Sequence, residues 1–164
     1  MAAATHIYFL SKFLEFLDTF FFIVRKKFSH VSRLQLIHHG IMPIFTFLMV
    51  RWLPNGHETF GVGLNSLVHV CMYSYYFLAA LGPHMQPYLW WKKYLTTFQM
   101  IQFCACFAKS LVVVSGVVDC GYPWQFSLIC CGMTTMFFGL FAEFYVQEYK
   151  TKVAKKKAAL QKSQ

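Results

Sequence analysis

Residues 6–24 read HIYFLSKFLEFLDTFFFIV, an apolar run in which Ser11, Lys12, Glu15, Asp18 and Thr19 are the polar interruptions. At 100° per residue those five side chains fall within about a third of a helix's circumference, and the rest of the run is Phe, Leu, Ile, Tyr and Val. Nineteen residues of this kind fit the ~20 that a helix needs to cross a ~30 Å hydrocarbon layer. An ionisable group in such a helix is expensive unless it faces a bundle interior. The run therefore reads as a transmembrane helix with one polar side turned towards partner helices.

Further stretches of similar length follow at about 34–53, 62–81, 94–118 and 124–147. None shows the sustained two-residue alternation of a membrane barrel. The chain is 57% hydrophobic and 13% charged, with 19 Phe, 9 Tyr and 4 Trp, against roughly 25% charged residues in a soluble domain. The expected fold is all-α, a polytopic transmembrane bundle of about five spans in residues 1–149, followed by a basic cytosolic tail, 150–164. Pro43 falls inside the second span, where neighbours must satisfy the backbone group it frees.

The net charge of +9 is unevenly distributed. Arg25, Lys26, Lys27 and Arg33 follow the first span. Lys92 and Lys93 follow the third, and Lys150, Lys152, Lys155, Lys156, Lys157 and Lys162 follow the fifth. The alternate connections carry Glu58 and Asp119 without Lys or Arg between 54–60 and 117–123. By the positive-inside rule the first, third and fifth spans end in the cytosol. The charge is thus a topology and anionic-ligand signal rather than a nucleic-acid footprint. Lys12, Glu15 and Asp18 are residues that the apolar core of a cleavable leader would not hold, so none is expected in this run. Five of the six cysteines lie in spans as packing residues; Cys120 alone falls in a non-cytosolic loop, with no partner for a disulfide in this chain.

The other spans carry polar stripes as well. Gln35, His38, His39, Met42 and Thr46 fit a ~100° arc of the second, and Asn65, His69, Met72, Tyr73 and Tyr76 do so in the third, with Tyr75 pointing elsewhere. Thr96, Gln99, Gln102, Cys106 and Lys109 make a wider stripe in the fourth. Ser11, Thr46, Thr97 and Cys106 read as interhelical hydrogen-bonding residues. Lys12 and Glu15, at i, i+3, are equally suited to pair with each other. His6, His30, His57 and His84 lie at helix ends or in loops, where solvation explains them. His38, His39 and His69 are the functional candidates, because imidazole acts as base, nucleophile or metal ligand near neutral pH.

A metal centre is the weaker chemistry: three span histidines are few, and Gln35 stands where another ligand would be expected. Acyl transfer fits better. Neutral imidazole attacks a thioester and divides one hard displacement into two easier ones. A second imidazole or a tyrosine hydroxyl can stabilise an oxyanion or carry a proton. A dry tunnel between helices suits a fatty chain, and Arg25–Lys27 with Lys92 and Lys93 suit the phosphates of coenzyme A.

Three motifs resemble those of the very-long-chain fatty acid elongases. Lys12-Phe-Leu-Glu15-Phe-Leu-Asp18-Thr19 matches K-x-x-E-x-x-D-T, and Asn65 through Tyr76 matches N-x-x-x-H-x-x-M-Y-x-Y-Y. Thr96-Thr-Phe-Gln99-Met-Ile-Gln102-Phe103 matches T-x-x-Q-x-x-Q-F, and 81–93 looks like the family's connection between those boxes. The resemblance covers nearly the whole chain. It implies condensation of malonyl-CoA with a long-chain acyl-CoA to a 3-oxoacyl-CoA, without a metal or redox cofactor. His38 would take the acyl group, with His39 and His69 as further catalytic histidines. Asn65, Gln99 and Gln102 would orient these groups, as would Tyr73 and Tyr76. Lys12, Glu15 and Asp18 would organise the polar end of the acyl tunnel, and Lys92 and Lys93 would meet coenzyme A. It also implies the endoplasmic reticulum membrane, contacts with other elongation-cycle enzymes, and a homodimer. Two features depart from the pattern. The H-x-x-H-H box reads Gln35-Leu-Ile-His38-His39, and glutamine cannot titrate. The family has about two further helices ahead of the first box. Both departures motivate an alternative, a catalytically impaired elongase-like protein that binds acyl chains or partners.

Overall fold

The computed structural model describes residues 2–26, 31–53, 56–118 and 121–151. They form six α-helices: α1 (Ala2–Leu14), α2 (Phe16–Val24), α3 (Arg33–Trp52), α4 (Thr59–Ala80), α5 (Lys92–Val114) and α6 (Trp124–Tyr145). Among the described residues there is no strand. The four longer apolar stretches each become one helix. The first is broken at Glu15 into α1 and α2, with lengths of about 20 and 14 Å at 1.5 Å per residue. At the break the Asp18 amide donates to the Glu15 carbonyl at 3.2 Å, one residue tighter than the α-helical register.

The chain forms two compact units, residues 1–63 and 64–164. In the first, α1 packs along α3, with Phe9 against Phe47 at 6.0 Å between ring centroids. Ser32 caps α3 by accepting the Gln35 amide at 3.2 Å. Pro43 has no N–H to give the carbonyl four residues earlier, that of His39. Thr46, fully buried, donates its hydroxyl to the Met42 carbonyl at 2.9 Å beside this gap. Serine and threonine bonds of this kind commonly accompany bends in helices.

In the second unit α5 packs along α6, with Phe103 stacked on Phe137 (6.0 Å, 28°) and tilted against Phe141 (5.3 Å). Small buried side chains, Ser110 on α5 and Ser127 and Cys130 on α6, accompany this packing, as they do where membrane helices approach closely. Two residues after the end of α4 stands Gly82, whose φ of 117° is left-handed territory that favours glycine. Pro83 follows as the first residue of a 3₁₀ segment, Pro83–Tyr88. After α6 the chain continues in a π-helical turn, Val146–Thr151.

Among the described residues two helical segments, Lys92–Val114 and Trp124–Thr151, are long and apolar enough to cross a membrane. Helices α3 and α4 have the length, with 20 and 22 residues. At Glu15 the backbone stays right-handed helical (φ −62°, ψ −22°), so α1 and α2 follow one another with a single turn residue between them. Large apolar side chains on outer faces, such as Leu67, Val70 and Phe77 on α4 and Leu111 on α5, are exposed, as lipid-facing residues would be. Lys27, His30, Asp119, Cys120 and the tail lysines from Lys152 onward lie outside the described residues. His6 lies within α1 rather than at a helix end, because the helix begins four residues earlier, at Ala2.

Candidate functional site

Burial separates the polar stripe of the first unit from its surroundings. Lys12 and Glu15 are buried and Ser11, Asp18 and Thr19 half-buried, whereas Phe13, Leu14, Phe16, Leu17 and Phe20 are exposed. Lys12 Nζ donates to Glu15 Oε1 at 2.6 Å, with side chains only 1% and 8% exposed, and lies 4.4 Å from the centre of the Tyr8 ring. An ion pair so dry holds together because each charge has its partner; either alone would be costly. Tyr8, four residues before Lys12, belongs to no sequence motif, although i, i+4 spacing is the signal that finds it.

On α3, His38 and His39 are half-buried, with ring centroids 5.5 Å apart. The Phe16 ring stands edge-on to His39 at 6.1 Å. One carboxylate oxygen of Glu15 and one nitrogen from each of His38 and His39 all lie within 4.8 Å of one another. Geometrically this is three of the ligands a metal ion would need. It is equally a carboxylate beside an imidazole pair. Gln35 acts instead as a tie between helices, its Nε2 donating to Thr19 Oγ1 at 3.0 Å and so linking α3 to α2. The structure thus brings buried Lys12 and Glu15 and half-buried His38 and His39 into one polar cluster, with Gln35 a turn away along α3.

The second unit holds the remaining candidates. Asn65 is buried in α4, and His69 is half-buried with its ring edge-on to Tyr73 at 6.0 Å. Gln99 Nε2 meets Met72 Sδ at 3.9 Å, joining α5 to α4, and Gln102 is buried one turn further on. Tyr73 and Tyr76 are 36% and 45% exposed, and it is Tyr75, expected from helix periodicity to point elsewhere, that is half-buried, edge-on to Trp91 at 5.2 Å.

At the start of α5, Lys92 is paired with Glu148 at 3.1 Å. Thr96 shares a 3.3 Å hydrogen bond with Tyr149, and Lys93 lies 5.9 Å from the Tyr145 ring centre. Glu148, Tyr149 and Tyr145 belong to the end of α6 and its π-helical turn, a feature common at functional sites. No motif pointed to them, since they reach Lys92, Thr96 and Lys93 from about fifty residues away. The basic pair at 92–93 is consequently balanced by one carboxylate.

Comparison with known proteins accords with this picture. Residues 1–157 match the model of the ELO: GNS1/SUR4 family. The chain is 48% identical over 153 residues to very long chain fatty acid elongase 7 of Drosophila melanogaster, covering 93% of this chain and 46% of that protein. It is 46% identical over 159 residues to a very long chain fatty acid elongase of Aedes aegypti (97% and 44%). To elongase 4 of Homo sapiens it is 45% identical over 152 residues (92% and 47%). The chain thus spans about half the length of the curated relatives it matches.

Proposed function

The chain belongs to the ELO (GNS1/SUR4) family, and on that premise we propose that it condenses malonyl-CoA with a long-chain acyl-CoA, releasing carbon dioxide and coenzyme A and giving a 3-oxoacyl-CoA. The observation that carries this reading is the His38–His39 pair, half-buried among apolar side chains with a buried carboxylate beside it. A nitrogen of His38 attacks the acyl thioester carbon, and the C–S bond breaks with its electron pair left on sulfur. The thiolate takes a proton from water. Loss of carbon dioxide from malonyl-CoA leaves the bond's electron pair as an enolate. Its carbon attacks the acyl group and expels neutral imidazole. The elongase-like motifs that contain Asn65, His69, Gln99 and Gln102 support the same reading. The names of the relatives, all very long chain fatty acid elongases, support the substrate class. The same reading puts the protein in the endoplasmic reticulum membrane beside the other enzymes of the cycle.

No metal or redox cofactor enters this proposal. A divalent ion on Glu15, His38 and His39 would have to sit beside the Lys12 ammonium, already 2.6 Å from a Glu15 oxygen, and like charges at that range repel by several kcal/mol in a dry site.

The test is incorporation of labelled malonyl carbon into long-chain 3-oxoacyl-CoA by membranes carrying the chain. Incorporation should match in the wild type and in His57→Ala, whose histidine stands in the 3₁₀ turn before α4. Membranes that incorporate nothing above the empty-vector level would sink the proposal. A second expectation concerns the basic pair. Lys92→Gln with Lys93→Gln should raise KM for acyl-CoA about 3–10-fold, because contacts between part-exposed charges and phosphates are worth about 1 kcal/mol. The rise should shrink in high salt, and kcat should hold. A KM that ignores both lysines would place the coenzyme A phosphates elsewhere.

A further inference from the structure

Glu15 stands at the interruption between α1 and α2, buried, with Lys12 on one of its oxygens and a nitrogen each of His38 and His39 within 4.8 Å. A buried carboxylate needs a partner, and Lys12 alone would meet that need. The proximity of both imidazoles is additional, and it has a chemical consequence. An ionised carboxylate only accepts hydrogen bonds, so an imidazole nitrogen turned towards it carries the ring's hydrogen. In a neutral imidazole the other nitrogen then holds the lone pair.

We propose that Glu15, anchored by Lys12, is the positioning residue of the His38–His39 pair, fixing the tautomer in which the outward nitrogen of His38 is free to take the acyl group. This rests on the acyl-transfer reading above and adds to it a role for the buried ion pair. When the His38 lone pair forms the N–C bond and the C–S bond breaks towards sulfur, the ring becomes an N-acylimidazolium that keeps its N–H on the carboxylate side. Glu15 balances that positive charge without moving. When the enolate carbon attacks, the N–C electron pair returns to the ring, which leaves as neutral imidazole in its starting tautomer. Lys12 holds the carboxylate in place through both halves and takes no part in bond making. The logic is that of any carboxylate that orients a catalytic imidazole without itself reacting.

The experiment compares single-turnover acylation of His38, followed by mass spectrometry with labelled acyl-CoA, in the wild type, Glu15→Gln and the double variant Lys12→Met/Glu15→Gln. The double variant removes the whole ion pair and leaves no uncompensated buried charge, so it folds even where the single variant falters. Both variants should acylate about 10²-fold more slowly, with the acyl-CoA concentration dependence unchanged. Wild-type acylation by the double variant would overturn the proposal, showing that Glu15 only neutralises Lys12. A second readout needs no variant. With ¹⁵N-histidine in the detergent-solubilised wild type, His38 should give the nitrogen shifts of a single tautomer; an even mixture of the two would overturn it too. Condensation that persists while these readouts fail removes this inference alone. A wild type that never condenses removes the functional reading with it.

Discussion

Replacing His38 by alanine is expected to abolish the acyl-enzyme and to lower condensation at least about 10³-fold, roughly 4 kcal/mol of barrier. The magnitude follows from what the substitution removes. Without a nucleophile the enolate must find the thioester directly, and the step divided in two becomes one again. His39 cannot substitute. Its ring centroid is 5.5 Å from that of His38, whereas reacting atoms must be brought to about 3–3.5 Å in line, so an acyl carbon placed for one ring is out of line for the other. Substrate binding should be largely spared, since the acyl chain and coenzyme A are held by other surfaces, and the loss should appear in kcat rather than KM. Rapid quenching with labelled acyl-CoA measures it. Label trapped on protein to the same extent in His38→Ala would move the nucleophile to another residue.

Much of this site could be read from the chain because its signal is local. Polar residues at three- and four-residue spacing in an apolar run predict a face, and Lys12, Glu15, Thr46, Asn65, Thr96 and Gln102 are all buried where the stripes put them. The Lys12–Glu15 pair was legible for the same reason, its partners being one turn apart. What sequence could not give was set by distant parts of the chain. Glu15 and its neighbours are helix-compatible, so nothing local announces the interruption at that residue. Lys92 and Lys93 read as free positive charge, yet Glu148 and Tyr145 reach them from the far end of α6. Tyr73, Tyr75 and Tyr76 all lie within four residues, and helix periodicity put Tyr75 outside the stripe: Tyr73 stands edge-on to His69 and Tyr76, whereas Tyr75 packs on Trp91 of the next element, a burial that periodicity alone does not show. Hydropathy was the least faithful guide, because α3 and α4 have the length of a span yet hold no stretch as uniformly apolar as those within α5 and α6.

The second large effect concerns stability. Lys12→Met alone should destabilise the protein by about 3–5 kcal/mol, since it strands the Glu15 carboxylate in a site where the side chain is only 8% exposed. For a chain of this size that is roughly 6–20 °C in the midpoint of thermal unfolding in detergent. Lys12→Met/Glu15→Gln should recover most of the loss, because methionine has nearly the volume of the lysine stem and glutamine remains a hydrogen-bonding neighbour for the imidazoles. The ordering matters more than the size: the single variant must be the less stable, although it changes fewer residues. Lipid cannot relieve the stranded charge, since on the outer face it would be no better solvated than inside. If the two variants melt together, the pair is wetter than its geometry implies and Glu15 has water to turn to. The ion pair would then no longer be what holds the carboxylate against the histidines. If the single variant melts far below the double, the pair is as dry as its geometry implies, and the contact that anchors the carboxylate beside the imidazoles is also one on which the fold depends.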